Sequence, residues 1–403
     1  MILWPMVIVQ FFMSSALTIM APFLPLYLVQ IGVHPMSHVD MWSGILSSVN
    51  FLMAALLSPV WGSLADRSGR KAMVLRSSAA ICVFTALMGF SHNVWELLVL
   101  RLLMGMFSGF SASAIALVAT QMEENKLGFA LGWLSTGQLV GGLVGPLLGG
   151  VLADIIGDYR FVFFWTSAIS FLAVLITLFI VKERKVSKPQ ADRQKQPIWK
   201  QLMTLRDIQG LFSMFVVLLL AQFATRSLQP VVTVYVKDIA GNVPYLATLA
   251  GFAFSVTGMG DLVASPFLGK RSDRIGYKRV LLISLLADAV FTIPQAFTRS
   301  VWVFIALRFC MGMFMGGILP TANALVGRLT SVENRGKVYG LTSSATFLGS
   351  FLGPMVGGMV SAAFGIPVMF YVTAALLLMN WIWIAKVVQE PPHEEMHDVR
   401  SHS

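Results

Sequence analysis

Gly62-Ser63-Leu64-Ala65-Asp66-Arg67-Ser68-Gly69-Arg70-Lys71 is a polar, basic turn between two long apolar segments. It reads G-x-x-x-D-R-x-G-R-K. Gly62 and Gly69 permit close backbone approach and positive φ. Asp66 suits the positive end of a neighbouring helix. Arg67, Arg70 and Lys71 cannot cross a bilayer and hold the turn at its cytoplasmic face. Such a turn requires membrane-crossing segments on both sides, and the composition supplies them. Of 403 residues, 56% are hydrophobic and only 12% charged, and the mean hydropathy is +0.76, which excludes an ordinary soluble domain.

An apolar run of about 20 residues crosses the ~30 Å hydrocarbon core. Twelve spans are expected, at residues 4–30, 41–64, 72–91, 94–120, 127–153, 161–182, 210–236, 244–268, 279–298, 301–327, 336–362 and 366–388. The fold class is therefore an all-α polytopic membrane protein. Residues 183–209, rich in Lys, Arg, Gln and Pro, form the one long polar connection, which divides the chain into bundles at 1–182 and 210–388 with a tail at 389–403. Ile198 to Leu205 reads as a short amphipathic surface helix.

The net charge of +10 would suit nucleic acid, but its placement points to a lipid bilayer. With segments alternating from a cytoplasmic N-terminus, the external turns hold only Arg160, Lys237 and Arg299, and the spans hold Arg101, Arg226 and Arg308. The other 23 of 29 Lys and Arg (29 − 6) fall on cytoplasmic turns, linker and tail, as the positive-inside rule requires with both termini inside. Cys82 and Cys310 lie in apolar segments and read as buried small hydrophobes rather than a disulfide. Met1 to Pro5 leads straight into the first span without a basic leader, so an uncleaved first helix is expected.

The two bundles repeat one another. Asp66-Arg67 recurs as Asp273-Arg274 and Arg101 as Arg308, both at an offset of 207 residues; Gly145-Pro146 recurs as Gly353-Pro354 at 208. Glycines at 132, 141, 145 and 149, with Pro146, give span 5 a groove where another helix can approach closely. Pro146 removes one backbone hydrogen bond, so a bend is expected there. Close packing alone also favours such a pattern.

The turn at 62–71 resembles the signature of the major facilitator superfamily between helices 2 and 3. The likeness runs from Pro22-Phe-Leu-Pro-Leu-Tyr27 to the end of span 12, and the spacing in span 5 is similar to the antiporter motif of drug-exporting members. Asp40-Met-Trp-Ser-Gly44, Ser58-Pro-Val-Trp-Gly62 and Ala119-Thr-Gln121 are similar to one group of multidrug efflux proteins within the twelve-helix drug:proton antiporter branch. The resemblance implies two pseudo-symmetric six-helix bundles with a substrate site at their interface. It also implies a monomer of the bacterial cytoplasmic membrane that exports small amphipathic compounds in exchange for protons by alternating access. It further implies gate contacts of Asp66 with span 11 and of Asp273 with span 5. Arg101 matches the helix 4 arginine that the family connects with proton coupling. Drug exporters of this superfamily often carry an acid on helix 1; here helix 1 has none. No Walker A pattern occurs, so the expected driver is the proton-motive force, without cofactor or metal.

Ionisable residues at membrane depth are functional candidates by default. Five qualify: Arg101, Arg226, Asp261, Asp288 and Arg308. At ~1.5 Å per residue, Asp288 and Arg308 lie at similar depth, ~12–15 Å below the outer surface on adjacent helices, where a structural ion pair is the plain expectation. Thr257, Asp261 and Ser265 form one polar stripe on span 8, and Gln222, Arg226, Gln229 and Thr233 another on span 7. Asp261 is a proton carrier, the permanent partner of Arg226, or neither. Ser14 and Thr18 of span 1 are the repeat equivalents of Gln222 and Arg226; with Gln138, Gln229 and Asn323 they complete the expected polar cavity. The 29 Phe, 23 Met and 10 Trp offer adaptable apolar walls or simply face lipid. His393, Glu394, Glu395, His397, Asp398 and His402 in the tail read as a solvated end rather than a metal site. Rival readings are an uptake carrier or uniporter for a metabolite and a non-transporting receptor on the same fold. No nucleophile–base pair or phosphate loop suggests an enzyme.

Overall fold

In hydrocarbon a backbone N–H or C=O has no water to bond, so long apolar runs close their hydrogen bonds internally as helices. A computed structural model describes residues 2–123, 126–183, 211–241, 243–329 and 335–388. The expected surface helix at 198–205, nearly all of the linker and the tail lie outside these residues. Among the described residues there is no strand.

The helices are α1 (Leu3–Ile19), α2 (Leu24–Gln30), α3 (Met36–Ser68), α4 (Arg70–Met88), α5 (Val94–Met106), α6 (Phe110–Gln121), α7 (Leu127–Ile156) and α8 (Tyr159–Leu175). There follow α9 (Leu211–Ser227), α10 (Val232–Ala240), α11 (Leu246–Ile275), α12 (Tyr277–Thr292), α13 (Val301–Leu329), α14 (Arg335–Phe364) and α15 (Ile366–Val387). Among the described residues eleven stretches are long and apolar enough to cross a membrane, and α1 with α2, bent by 46°, makes a twelfth.

Spans 1, 4 and 7 are interrupted where the sequence expectation ran through. Pro22 sits in the break between α1 and α2 and Pro25 in the first turn of α2, Gly109 with φ of 103° sits in the break between α5 and α6, and Pro230 precedes α10. Each is a residue that disfavours or leaves the right-handed helix. The bend expected at Pro146 is not a break: α7 continues through it as one helix.

Within the first half α1 packs along α7, and within the second α9 packs along α14. Across the halves α3 lies on α14 and α7 on α11. The core of the first half is joined by Leu246 and Ala247, and Met36 reaches a core of the second. The two ends of the bundle differ. One, here called the basic end, carries the turns at Gly69, Lys126 and Gly276; the other carries those at Gly32, Gly157, Gly241 and Gly365.

Candidate functional site

The halves meet tightly at the end opposite the basic turns. A Cβ on Gly44 of α3 would strike the Pro354 carbonyl and Gly358 of α14. Gly150 of α7 is closed off by the Ala247 carbonyl, and Gly251 of α11 by that of Pro146. Hydrogen bonds cross the same seam. Asp154 accepts from the backbone N–H of Ala247 at 3.2 Å and of Thr248 at 2.7 Å, Ser255 Oγ donates to the Leu143 carbonyl at 2.6 Å, and Ser361 Oγ donates to Asp40 at 2.7 Å. Asp154 thus caps α11 from the other half, with its charge at the positive end of the helix dipole. Asp40, only 5% exposed, keeps its other oxygen without a partner.

The basic end is different. Along α7, Gly128 and Gly132 face open space, as does Gly269 on α11, and Ser135, Thr136 and Gln138 are exposed. The cavity set is brought together only in part. Ser14 donates to the Gln138 carbonyl at 2.7 Å, and Gln10 Nε2 bonds both Ser111 at 3.2 Å and Gln138 Oε1 at 3.3 Å. Thr18 turns inward to the Ser14 carbonyl of its own helix. Gln222 is buried, Gln229 Oε1 has no partner, and Asn323 is exposed.

Of the gating motif, the side chains of Gly62, Asp66 and Arg67 lie outside what is described. Gly69 has φ of 89° and Gly276 of 99°, each at the start of the next helix, where only glycine is unstrained. Glu183 caps α4: its carboxylate accepts from the N–H of Arg70 at 3.0 Å and of Lys71 at 3.1 Å. Arg70 also donates to the Ala116 carbonyl at 2.6 Å and Lys71 to that of Leu178 at 2.9 Å, so both brace their own half. The contact expected between Asp273 and span 5 is not made. Asp273 and Arg274 are exposed, and Asp273 accepts from the Tyr277 hydroxyl one turn on, a partner within its own half.

The buried charges depart from expectation. Arg101, 6% exposed, donates to Met20 Sδ at 3.6 Å. With the Asn50 amide oxygen turned toward it, Nη1 also reaches that oxygen at 2.9 Å while the amide nitrogen donates to the Arg101 carbonyl at 2.5 Å. The repeat equivalent of Asn50 is Thr257, whose short hydroxyl bonds the Ala253 carbonyl instead. Asp288 and Arg308 do not form the expected ion pair. Asp288 is wholly buried with neither carboxyl oxygen bonded, and the guanidinium of Arg308 lies over Phe304, 6.0 Å from the ring centroid. Nor does Asp261 pair with Arg226. Gly316 of α13 abuts the Asp261 carboxylate, Gly312 packs on Thr257 and Gly260 on Phe309, so this face of α11 is turned to α13 rather than to α9. Arg226, half-buried, instead lies 5.5 Å from the ring centroid of Phe51 in α3.

The glycine groove is real for three of its four positions. A Cβ at Gly141, Gly145 or Gly149 would overlap backbone or hydroxyl atoms of α1 from Phe11 to Ile19, whereas Gly132 meets nothing within 4 Å. Gly137, passed over in sequence, joins the groove against Val7. Pro146 presents its carbonyl to Gly251, so α7 serves α1 on one face and the opposite half on another. Among the described residues no group of three His, Cys, Asp or Glu could hold a metal; the tail histidines lie outside them.

Sequence reasoning missed Asp40, Asp154, Glu183 and Asn50. The first three stand near span ends, where an acid needs no special explanation. Asn50 carries no charge, so a search for ionisable residues passes it by.

The profile described as Major Facilitator Superfamily matches residues 6–259 and 214–401. The chain is 39% identical over 373 residues to the multidrug resistance protein MdtG of Salmonella arizonae, covering 93% of this chain and 92% of that one, and likewise to its counterpart from Salmonella paratyphi B. Among solved structures, it is similar to a bacterial homolog of the human lysosomal transporter Spinster in an inward-facing, unoccupied conformation. That match has a TM-score of 0.78 and 15% identity over 97% of this chain and 98% of the other. The nucleoside transporter NupG gives a TM-score of 0.76 at 12% identity over 96% and 100%.

Proposed function

From the premise that the chain belongs to the Major Facilitator Superfamily, we propose that it is a secondary active exporter, expelling small amphipathic compounds in exchange for protons by alternating access. The observation that carries this reading is the asymmetry of the interface. Cross-half bonds from Asp154, Ser255 and Ser361 join the halves at one end, while Ser135, Thr136 and Gln138 are exposed toward the other. A carrier that opens to one side at a time needs such a seam and a second, alternative one. The MdtG relatives, named for multidrug resistance, support the cargo class.

The surplus of Lys and Arg puts the basic end, with both termini, in the cytoplasm, so this conformation is open inward. The protein works as a monomer in a bacterial inner membrane, driven by the proton-motive force with no cofactor. In the outward-open conformation Asp66 and Asp273 close the cytoplasmic side. Protons are carried by an acid of the second half. Asp261 is the first choice, because it sits half-exposed whereas Asp288 is sealed; Arg101, Arg226 and Arg308 tune it.

The test is proteoliposomes holding an internal pH dye, to which lipophilic cations, anions and neutral drugs are added under an imposed proton gradient. Proton release upon drug addition, lost in Asp261→Asn while drug binding persists, is the expected result. Proton flux that survives the substitution removes Asp261 from the role. Drug movement without proton flux overturns antiport in favour of a uniporter.

A further inference from the structure

Arg226 is a charge at membrane depth that no carboxylate among the described residues answers. It lies in the last turn of α9, where Gly353 of α14 packs against its β-carbon. Its head reaches across the interface to the face of Phe51 in the other half. Its Nε has no hydrogen-bond partner. Among the described residues the sole ion pair within 4.0 Å joins Lys126 and Glu123, so no carboxylate meets Arg226.

The acids that could have served are occupied or turned away. Asp261 abuts Gly316 of α13, Asp288 is sealed within the second half, Asp40 takes Ser361 and Asp154 takes the start of α11. Phe51, across the interface, is adjacent to Asn50, which holds Arg101. One turn of α3 thus stands between two arginines.

A guanidinium stays charged at any working pH, and leaving it unpaired in a low-dielectric site is unfavourable. Its planar fork matches a carboxylate or a sulfonate with two parallel hydrogen bonds. Gln222 lies four residues before Arg226, one turn back on the same helix, so a polar side chain neighbours it while Phe51 offers an apolar face. We infer that Arg226 is the specificity residue of the inter-half cavity, binding the anionic head of an amphipathic organic acid whose apolar body lies against Phe51. This rests on the transporter reading above and narrows its cargo.

The test uses the purified full chain and three probes of matched shape: 2-naphthoate, its methyl ester and 2-naphthylmethylammonium. Equilibrium binding is measured for wild type, Arg226→Gln and Arg226→Lys, in sodium gluconate and in sodium chloride. Wild type binds naphthoate about tenfold more tightly than the ester, ~1.4 kcal/mol. Arg226→Gln loses that preference and keeps the affinity for the ester, which serves as the folding control. Arg226→Lys keeps part of it, having the charge without the fork. Equal binding of naphthoate and ester by wild type, or an undiminished preference in Arg226→Gln, overturns the inference. Tightest binding of the ammonium probe overturns it too, yet leaves the exporter reading standing. Chloride that abolishes naphthoate binding and leaves the ester untouched shows a site for inorganic anions and refutes an organic cargo. Failure of all three probes removes the cavity as a binding site and the exporter reading with it.

Discussion

Asp154→Ala isolates the seam that holds the halves together at the end opposite the basic turns. Asp154 accepts from two backbone N–H groups, those of Ala247 and Thr248, which are among the orphan donors of α11. Removing such a cap costs about 0.5–2 kcal/mol, and losing a carboxylate at a helix N-terminus a further ~0.3–1 kcal/mol. The site is half-exposed, so the lower part of each range applies, giving about 1.5 kcal/mol in all. That bond exists only while this end is closed, so its loss shifts the balance toward the opposite-end-open form about tenfold. Asp154→Asn keeps one acceptor oxygen but no charge and falls between. The assay places Ser43→Cys, wholly buried beside Gly44, in a background of Cys82→Ser and Cys310→Ser. The rate of labelling by a membrane-impermeant maleimide rises about tenfold with Asp154→Ala as long as the open form is the minor one. Asp40→Asn shifts it the same way but less, since an amide oxygen still accepts from Ser361. An unchanged or slower rate in Asp154→Ala refutes the reasoning.

The groove of α7 makes a graded prediction for thermal unfolding in detergent. Gly145→Ala, which overlaps Thr18 and Ser15, costs about 1–3 kcal/mol, whereas Gly132→Ala, open on all sides, is stabilising by ~0.5–1 kcal/mol; equal midpoints for the two variants contradict the packing. A turn at the opposite end adds a pH dependence. Gln30 Nε2 at 2.8 Å, then the Arg160 N–H at 3.0 Å, hold the Asp158 carboxyl below its ordinary 3.8. A depressed folded-state pKa gives stability that is present above 3.8 and disappears as pH falls through the folded value. Asp158→Asn therefore lowers stability at neutral pH by well under 1 kcal/mol, solvent screening being strong here, and matches wild type in acid; a gap that widens on acidification reverses the sign.

The spans were legible because a bilayer reduces the choice of backbone to helices and the choice of side chains to apolar ones. Gly141, Gly145 and Gly149 were legible for a related reason: a close helix contact must exclude every Cβ along one face, so its spacing is written in residue type. The local likeness at Asp40-Met-Trp-Ser-Gly44 to a multidrug efflux group was matched by the MdtG relatives. Charge pairing was not legible. Matching depths made Asp288 and Arg308 partners on paper, but depth leaves the rotation of each helix free. Asp261 lies against Gly316 for the same reason: the stripe Thr257–Asp261 is a true periodicity that faces α13 rather than Arg226 of α9.

The repeat itself hides the opposite-end seam. Asp40 has Ala247 as its repeat equivalent at the 207-residue offset, whereas Ser361, at the 208 of spans 5 and 11, has Ala153, so the other cross-half contact of the same seam, Ala247 with Asp154, stands one residue beside the repeat position. A cross-half contact thus recurs one residue over although neither residue type does, and the acid moves from α3 in one copy to α7 in the other. This is possible because the donor need only be a polar hydrogen: Ser361 supplies a hydroxyl, while Ala247 supplies its backbone N–H at a helix start, where it has no intrahelical acceptor. A comparison of residue identities therefore passes over both pairs, while the symmetry of the backbone keeps them. Both acids belong to the first half and both donors to the second, so closing this end brings two carboxylates of one bundle onto hydrogen-bond donors of the other. Opening it leaves both acids facing the same aqueous side.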